Sequence, residues 1–147
     1  MCMTLQRQRL FWIGLSGWVL VVGCNGNDRN WKETVPVTGV ITVNGQPAEG
    51  VHVTFHPAGG MDQAQPTETK AITDKEGKFA ASTYVLGDGA PPGEYTLTFS
   101  WPKLNTISMA FEGDKLKGKY DQPGKSQHKI VVESGQPLDL GTIDLKP

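Results

Sequence analysis

Three histidines are the side chains of this chain best suited to bind a metal ion. His52 and His56 lie four residues apart in a segment that alternates apolar and polar residues, and His128 lies in a later segment of the same kind. On a strand, a spacing of four residues puts two side chains on one face but about 13 Å apart, at about 3.3 Å per residue. One ion with ligands at about 2 Å cannot reach both imidazoles. His128 could join one of them from a neighbouring strand, but two exposed strand histidines are the ordinary interpretation of this pattern. We therefore predict no metal site and no cofactor.

The residue patterns of the common catalytic sites are missing from the sequence after residue 24. It has no Gly-x-Ser-x-Gly elbow, no Asp-x-Asp-x-Asp calcium loop and no glycine-rich phosphate loop. A serine nucleophile needs a base and a group that orients the base, and no such spacing is evident. We therefore expect no catalytic residues and no enzyme activity.

Two sets of side chains suggest binding instead of catalysis. Trp31, Tyr84, Trp101 and Tyr120 are aromatic residues that could stack on sugar rings. Lys115, Lys117 and Lys119 alternate, so an extended segment would present three cations on one face, either to an acidic polymer or simply to solvent. A glycan or wall polymer is the partner that these two sets suggest.

The first 24 residues predict an export signal that ends in a modified cysteine. Arg7 and Arg9 precede 13 uncharged residues, 10–22, which as a helix would reach only about 20 Å, short of the roughly 30 Å bilayer core. This arrangement is typical of a secretory signal, although a short uncleaved anchor is the alternative. The sequence Val21-Val22-Gly23-Cys24 resembles a bacterial lipobox. The resemblance implies cleavage before Cys24 and lipid attachment to it.

Composition and charge argue against nucleic acid as a partner and against a disulfide. The chain has 147 residues, with 14 basic and 15 acidic side chains, 18 glycines and 10 prolines. Removal of the predicted signal would leave 12 basic and 15 acidic side chains, a net charge of −3. No basic surplus is then available to neutralise nucleic acid. Because the other cysteine, Cys2, lies in the signal, no disulfide is expected within one copy of the processed chain.

The rest of the chain predicts a single all-β domain. We assign residues 1–23 to the signal, 24–34 to a polar tether and 35–147 to a seven-stranded antiparallel β-sandwich of the transthyretin-like or Ig-like, Greek-key type. Apolar and polar residues alternate in short segments that Gly and Pro interrupt about every ten residues. The predicted strands are 35–43, 51–56, 67–73, 78–81, 94–101, 128–133 and 138–145.

Local features refine this prediction. Asn44-Gly45 predicts a tight hairpin, because both residues tolerate positive φ. The apolar residues of the last strand change parity near Gly141, which predicts a β-bulge there. Residues 102–127 lack steady alternation and are expected to form a long loop. The expected core comprises Val37, Ile41, Val43, Val51, Val53, Phe55, Phe79, Tyr95, Leu97, Phe99, Ile130, Val132, Leu140 and Ile143.

Three segments resemble one known family. Residues 37–55, 73–79 (TDKEGKF) and 90–99 (APPGEYTLTF) are similar to the opening strands, the turn before the fourth strand and the Pro-Gly-x-Tyr entry of carboxypeptidase-regulatory-like, or transthyretin-like, domains. With the lipobox, the chain resembles the small lipoproteins of this type in planctomycetes. The resemblance covers residues 36–145 and implies the fold but no activity. The hydrolases among transthyretin-like proteins end in Tyr-Arg-Gly-Ser, whereas this chain ends Ile143-Asp-Leu-Lys-Pro147.

These observations favour a non-catalytic, lipid-anchored β-sandwich of a bacterial cell envelope with a binding or scaffolding role. It is expected at the outer membrane or the periplasmic face. A carbohydrate- or wall-polymer-binding module is the alternative. The expected partners are the membrane, through the lipid on Cys24, and an envelope protein or glycan, with no nucleic acid.

Overall fold

Alternation of apolar residues produces strands throughout the computed structural model, which describes residues 30–147. The predicted signal, the lipid site at Cys24 and the first part of the tether lie outside the described residues. Within them the fold is all-β, with one short 3-10 turn at Pro123–Lys125 and no α-helix. The ten strands are β1 (Val37–Val43), β2 (Gln46–Pro47), β3 (His52–Pro57), β4 (Thr69–Ile72), β5 (Lys78–Ala80), β6 (Gly93–Ser100), β7 (Pro102–Asn105), β8 (Ala110–Asp114), β9 (Lys129–Val132) and β10 (Leu138–Leu145).

The strands form three sheets. The first sheet has the order β10-β1-β2, and β5 also pairs with β1. The second sheet has the order β4-β3-β6-β9. Strands β7 and β8 form a separate two-stranded hairpin, which we call the β7–β8 hairpin. Every pair is antiparallel except β1 with β10, which is parallel.

One hydrophobic core receives side chains from both four-stranded sheets. Eleven of the fourteen residues predicted for the core are buried, and Ile130, Leu140 and Ile143 are half-buried against it. The list of expected core residues omitted two fully buried leucines, Leu116 and Leu145, although the bulge predicted near Gly141 turns Leu145 towards the core. The third predicted strand, residues 67–73, turns Ala71 inward and leaves Ile72 exposed.

Two local predictions are confirmed by the backbone. Asn44 and Gly45 have φ values of 52° and 75°, and they connect β1 to β2 as a tight turn. In the pairing of β1 with β10, Thr38 faces Asp139 while Val40 faces Thr142, so β10 carries one extra residue. The bulge lies at Gly141, whose φ is 64°, and its N–H donates to the Asp139 carboxylate at 2.9 Å.

Three details of the predicted architecture are wrong. The described chain has ten strand segments instead of seven, because β2, β7 and β8 were not predicted as strands. The sheets are not entirely antiparallel, because β10 lies alongside β1 in the same direction. Residues 102–127 are not a plain loop, since they contain the β7–β8 hairpin and the buried Leu116. Most hairpin residues are exposed on both faces, so their sequence shows no period of two.

The folded unit begins at Trp31 and runs to Pro147. Residues 31–34, which the sequence analysis placed in the tether, contact this unit. The Lys32 ammonium is 2.6 Å from the Asp62 carboxylate, and the Glu33 carboxylate accepts a hydrogen bond from Ser134. Trp31 stacks on Tyr84 with ring centroids 4.8 Å apart. The chain therefore joins the folded unit before the first strand.

Candidate functional site

A groove of about 460 Å³ lies on the outer face of the second sheet. Its floor and walls come from β3, β4, β6 and the segment after β5. Polar side chains with hydroxyl, imidazole and ammonium groups alternate with apolar ones around it. The residues that line it are His52, Val53, Thr54, Lys70, Ala71, Ile72, Ser82, Leu86 and Ser100.

The strand register explains why these residues meet. Alternation buries Val53 and Phe55 on β3, so His52 and Thr54 point away from the core. The antiparallel register then places Ile72 and Ser100 on either side of His52. It likewise places Lys70 beside Thr54. The groove is therefore the outer surface of three neighbouring strands.

The segment 82–89 supplies the exposed rim of the groove. The Asp88 carboxylate accepts hydrogen bonds from the backbone N–H groups of Thr83, Tyr84 and Val85 at 2.7, 3.0 and 3.2 Å. This cage of hydrogen bonds holds the turn and leaves the Leu86 side chain 96% exposed. A single exposed apolar side chain is ordinary on a protein surface. Leu86 is notable because a second exposed apolar side chain, Ile72, lines the same groove.

The β7–β8 hairpin closes on the same face. The ring of Phe111 meets the ring of His52 edge-on, with centroids 6.4 Å apart. At the hairpin base, the Asp114 carboxylate accepts hydrogen bonds from the backbone N–H groups of Trp101, Leu116 and Gly118 at 2.7, 2.9 and 3.0 Å. The buried Leu116 side chain anchors the turn that follows. The base of the hairpin is thereby fixed while its tip projects into solvent.

The three histidines are placed in different surroundings. His52 lines the groove, and His56 is hydrogen-bonded through Nε2 to the Thr98 hydroxyl at 2.8 Å. His128 packs edge-on against Phe99, with centroids 5.1 Å apart, and burial lowers the pKa of its imidazole. Within residues 30–147 no group of three or more His, Cys, Asp or Glu side chains is arranged to hold a metal ion.

The four aromatic residues considered for glycan stacking make separate contacts. Trp31 and Tyr84 stack on each other, with planes 3° apart. Trp101 and Tyr120 are half-buried against the core. The Trp101 indole donates to the Glu49 carbonyl oxygen at 2.8 Å, and the Lys115 ammonium lies 4.3 Å from its ring centroid. Each of these rings thus has a face or an edge in contact with a neighbouring side chain.

Lys115, Lys117 and Lys119 do not lie on one extended face. Residues 115–120 form consecutive turns, and Lys117 has a φ of 58°. The hydrogen bonds that the Asp114 carboxylate accepts from Leu116 and Gly118 hold these turns. Because the segment is not a strand, its side chains do not alternate between two faces. Lys115 covers Trp101, and the Lys119 ammonium donates to the Lys146 carbonyl oxygen at 3.0 Å.

The groove was not found by the sequence analysis. His52 was considered only as a metal ligand and was rejected in that role, while Ile72, Leu86 and Ser100 were not proposed for any site. The sequence does contain one indication of the groove: Ile72 and Leu86 are apolar residues at an outward-facing position and a turn position. Whether the two lie close together depends on strand register, which alternation alone does not establish. Chemically, the groove offers hydrogen-bonding groups within an apolar rim, an arrangement suited to binding.

Comparisons with known proteins add little to this geometry. No protein-family model matches the chain, and no curated protein is significantly similar to it. Among solved structures, the chain is similar to a 9R-lipoxygenase from Cyanothece PCC8801, with 14% identity and a TM-score of 0.38 over 77% of this chain and 16% of that one. It is also similar to BcpA, the major pilin subunit of Bacillus cereus, with 13% identity and a TM-score of 0.42 over 77% of this chain and 30% of that one. The chain spans less than a third of either protein.

Within the described residues, no helix is both long enough and apolar enough to cross a membrane.

Proposed function

We propose that this protein is a non-catalytic, lipid-anchored module of a bacterial cell envelope that acts through binding. The observation that carries the binding role is the groove beside His52, with the exposed Leu86, Ile72 and Phe111 around it. Isolated exposed apolar residues are ordinary, whereas several around one concave surface are typical of interaction sites.

The anchor rests on the lipobox-like sequence that ends at Cys24. Six residues separate Cys24 from Trp31, the first residue of the folded unit. Even when fully extended, the chain from Cys24 to Trp31 spans at most about 25 Å. Lipid on Cys24 would therefore keep the folded unit close to the membrane surface.

The fold that we infer is a β-sandwich of the transthyretin-like or Ig-like type. Side chains from both four-stranded sheets share one core, which supports two packed layers. The Tyr95 hydroxyl donates to the Pro91 carbonyl oxygen at 2.7 Å, a contact that fastens the entry to β6. Burial raises the pKa of Tyr95, so the hydroxyl keeps its proton for this bond.

Metabolic labelling with radioactive palmitate tests the anchor. The wild-type chain and a Cys2→Ala variant are expected to incorporate label and to sediment with membranes. Cys24→Ala is expected to lose the label. Label that persists in Cys24→Ala, or that is absent from the wild type, would remove the anchor from this proposal.

Site-specific photo-crosslinking in the native envelope tests the binding role. A photoreactive residue at position 86, on the groove rim, is compared with one at position 131, another exposed apolar position, on β9. Defined adducts are expected at position 86 and not at 131. Equal or absent adducts at both positions would contradict a binding role for the groove.

A further inference from the structure

The exposed apolar side chains of the described residues are unevenly distributed. Ten large apolar side chains are exposed within residues 30–147, and seven of them form a series that we call the apolar strip. Leu86 and Ile107 are 96% and 94% exposed, so the strip is open to solvent and not part of the core. The strip consists of Trp31, Leu86, Ile72, Phe111, Leu104, Ile107 and Met109.

Two ring contacts, the groove lining and the strand register relate the members of the strip. Trp31 stacks on Tyr84, two residues before Leu86. Leu86 and Ile72 line the groove together, and Ile72 is the cross-strand neighbour of His52. The strip then passes from His52 to Phe111 through the edge-on ring contact, and so onto the hairpin.

The strip extends from one end of the folded unit to the other. Lys32, which follows Trp31, lines a recess together with Pro57 and Gly93, where β3 ends and β6 begins. The hairpin starts two residues after Ser100, at the opposite end of β6. An eight-residue strand is about 26 Å long at about 3.3 Å per residue. The strip therefore follows the long direction of the sheet.

The point where the chain enters the folded unit lies at one end of the strip. The seven residue steps from Cys24 to Trp31 reach at most about 25 Å when fully extended. Lipid on Cys24 would hold Trp31 within that distance of the bilayer. A strip that starts at this point and continues along one side of the unit is placed to lie on the same bilayer.

The net charge of the unit is positive around the hairpin and negative elsewhere, which favours contact of the hairpin with an anionic surface. Residues 102–125, which include the hairpin and the following turns, hold five lysines and three acidic residues, a net charge of +2. The remaining residues of the range 30–147 hold six lysines and eleven acidic residues, a net charge of −5. Only the hairpin end of the unit is attracted to anionic headgroups.

We propose that the apolar strip is a second membrane attachment, which lays the folded unit on a phospholipid bilayer. Ile107 and Met109 enter the interface at the hairpin tip, and lysines of residues 102–125 contact anionic headgroups. This inference rests on the proposed function for the orientation of the unit, and it names the bilayer as the partner that the groove beside His52 binds. The attraction of the strip for lipid does not depend on the anchor. Side chains that lie in the interface on one face, with lysines beside them, are typical of peripheral membrane contact.

Vesicle co-sedimentation of residues 31–147 tests the strip without the anchor. This fragment contains the whole described core and is expected to fold alone. The wild-type fragment is expected to bind vesicles of phosphatidylcholine with one quarter phosphatidylglycerol, and to bind pure phosphatidylcholine less. The double variant Ile107→Ser, Met109→Ser is expected to bind at least tenfold more weakly, and Val131→Ser within twofold of the wild type. Circular dichroism confirms that each variant is folded.

The outcomes separate the strip from the anchor. Wild-type fragment that stays in the supernatant with anionic vesicles, or equal losses in the hairpin and Val131→Ser variants, would overturn the proposal. Palmitate labelling of the full chain together with no vesicle binding of the fragment would leave the anchor and remove the strip. Vesicle binding without palmitate labelling would leave the strip as a membrane contact and remove the anchor.

A fluorescent probe in the full chain reports the orientation. Because the mature chain has only Cys24, Ile107→Cys and Val131→Cys each add one reactive thiol when Cys24 carries lipid. An environment-sensitive dye at position 107 is expected to shift to the blue in reconstituted vesicles, and the same dye at 131 is not. Equal spectra at both positions would contradict a unit that lies on the strip.

Discussion

The ring of Phe111 contacts the ring of His52 edge-on, with the centroids 6.4 Å apart, and this contact joins the β7–β8 hairpin to the second sheet. A two-stranded hairpin is marginally stable in water by itself. The Asp114 hydrogen bonds fasten the base of this hairpin, whereas Phe111 lies three residues nearer the tip. The position of the tip relative to the groove therefore depends largely on one aromatic pair.

Phe111→Ala is expected to loosen the hairpin without unfolding the domain. An edge-on aromatic pair contributes about 0.5–1.5 kcal/mol beyond its buried area, and Phe111 is itself exposed. Amides of β7 and β8 should exchange with deuterium faster, while the free energy of global unfolding changes by less than about 1 kcal/mol. Ile107→Ala, at the hairpin turn, is the matched control and should leave exchange on these strands unchanged. Equal exchange in both variants would show that the ring contact does not hold the hairpin.

Gly89→Ala is expected to destabilise the domain far more than Gly87→Ala. Both glycines have positive φ, 99° and 76°, so an alanine costs about 1–2 kcal/mol at either position. A Cβ on Gly89 would also clash with the Val35 carbonyl oxygen, whereas no atom beyond the two chain neighbours lies within 4 Å of a Cβ on Gly87. The bridge between Val35 and Ala90 must therefore shift. Urea denaturation should give a loss of more than about 3 kcal/mol for Gly89→Ala, and similar losses would refute this steric account.

Sequence patterns were sufficient where the cause of a structure is local. The parity change between Leu140 and Ile143 predicts a bulge at Gly141, because one extra residue restores four apolar side chains to the core. Asn44-Gly45 predicts its turn for an equally local reason, the φ values that the two residues tolerate.

Patterns were insufficient where distant segments meet. The groove needs Leu86, Ile72 and Ser100, which come from three segments and become neighbours through register. The parallel pairing of β10 with β1 also joins segments about 100 residues apart, and either strand could have paired elsewhere with the same alternation. Strand alternation predicts which face is buried but not which strand lies alongside.

Thr73→Val is expected to destabilise the core although it preserves the shape of the side chain. The buried Thr73 hydroxyl donates to the Ala48 carbonyl oxygen at 2.5 Å and accepts from the Val51 N–H at 2.9 Å. Valine would leave the buried Val51 N–H without this acceptor, at a cost of about 1–3 kcal/mol. Thr73→Ser keeps the hydroxyl and should cost only about 1 kcal/mol for the lost methyl group. A serine variant that is less stable than the valine variant in urea denaturation would contradict this assignment.

The free energy of unfolding is expected to fall as the pH decreases below about 6.5, because the unfolded chain then binds a proton on His128. Burial beside Phe99 lowers the pKa of His128 in the folded chain below its usual value near 6.5. Between these two pKa values the unfolded chain binds a proton that the folded chain does not, so stability rises with pH in this window and is lost as the pH falls through it. Denaturation curves between pH 7 and pH 5 should show this slope.

His128→Leu separates this effect from the titration of carboxylates. The substitution replaces the imidazole with an apolar side chain that cannot titrate, so the slope between pH 7 and pH 5 should become shallower. The pKa of Asp62 is lowered chiefly by its hydrogen bond from Lys32, and that of Asp144 chiefly by the Gly45 N–H. Their contributions are present above the usual carboxylate pKa of 3.8 and are lost only below it, outside this window. An unchanged slope in His128→Leu would show that another group is responsible for the pH dependence.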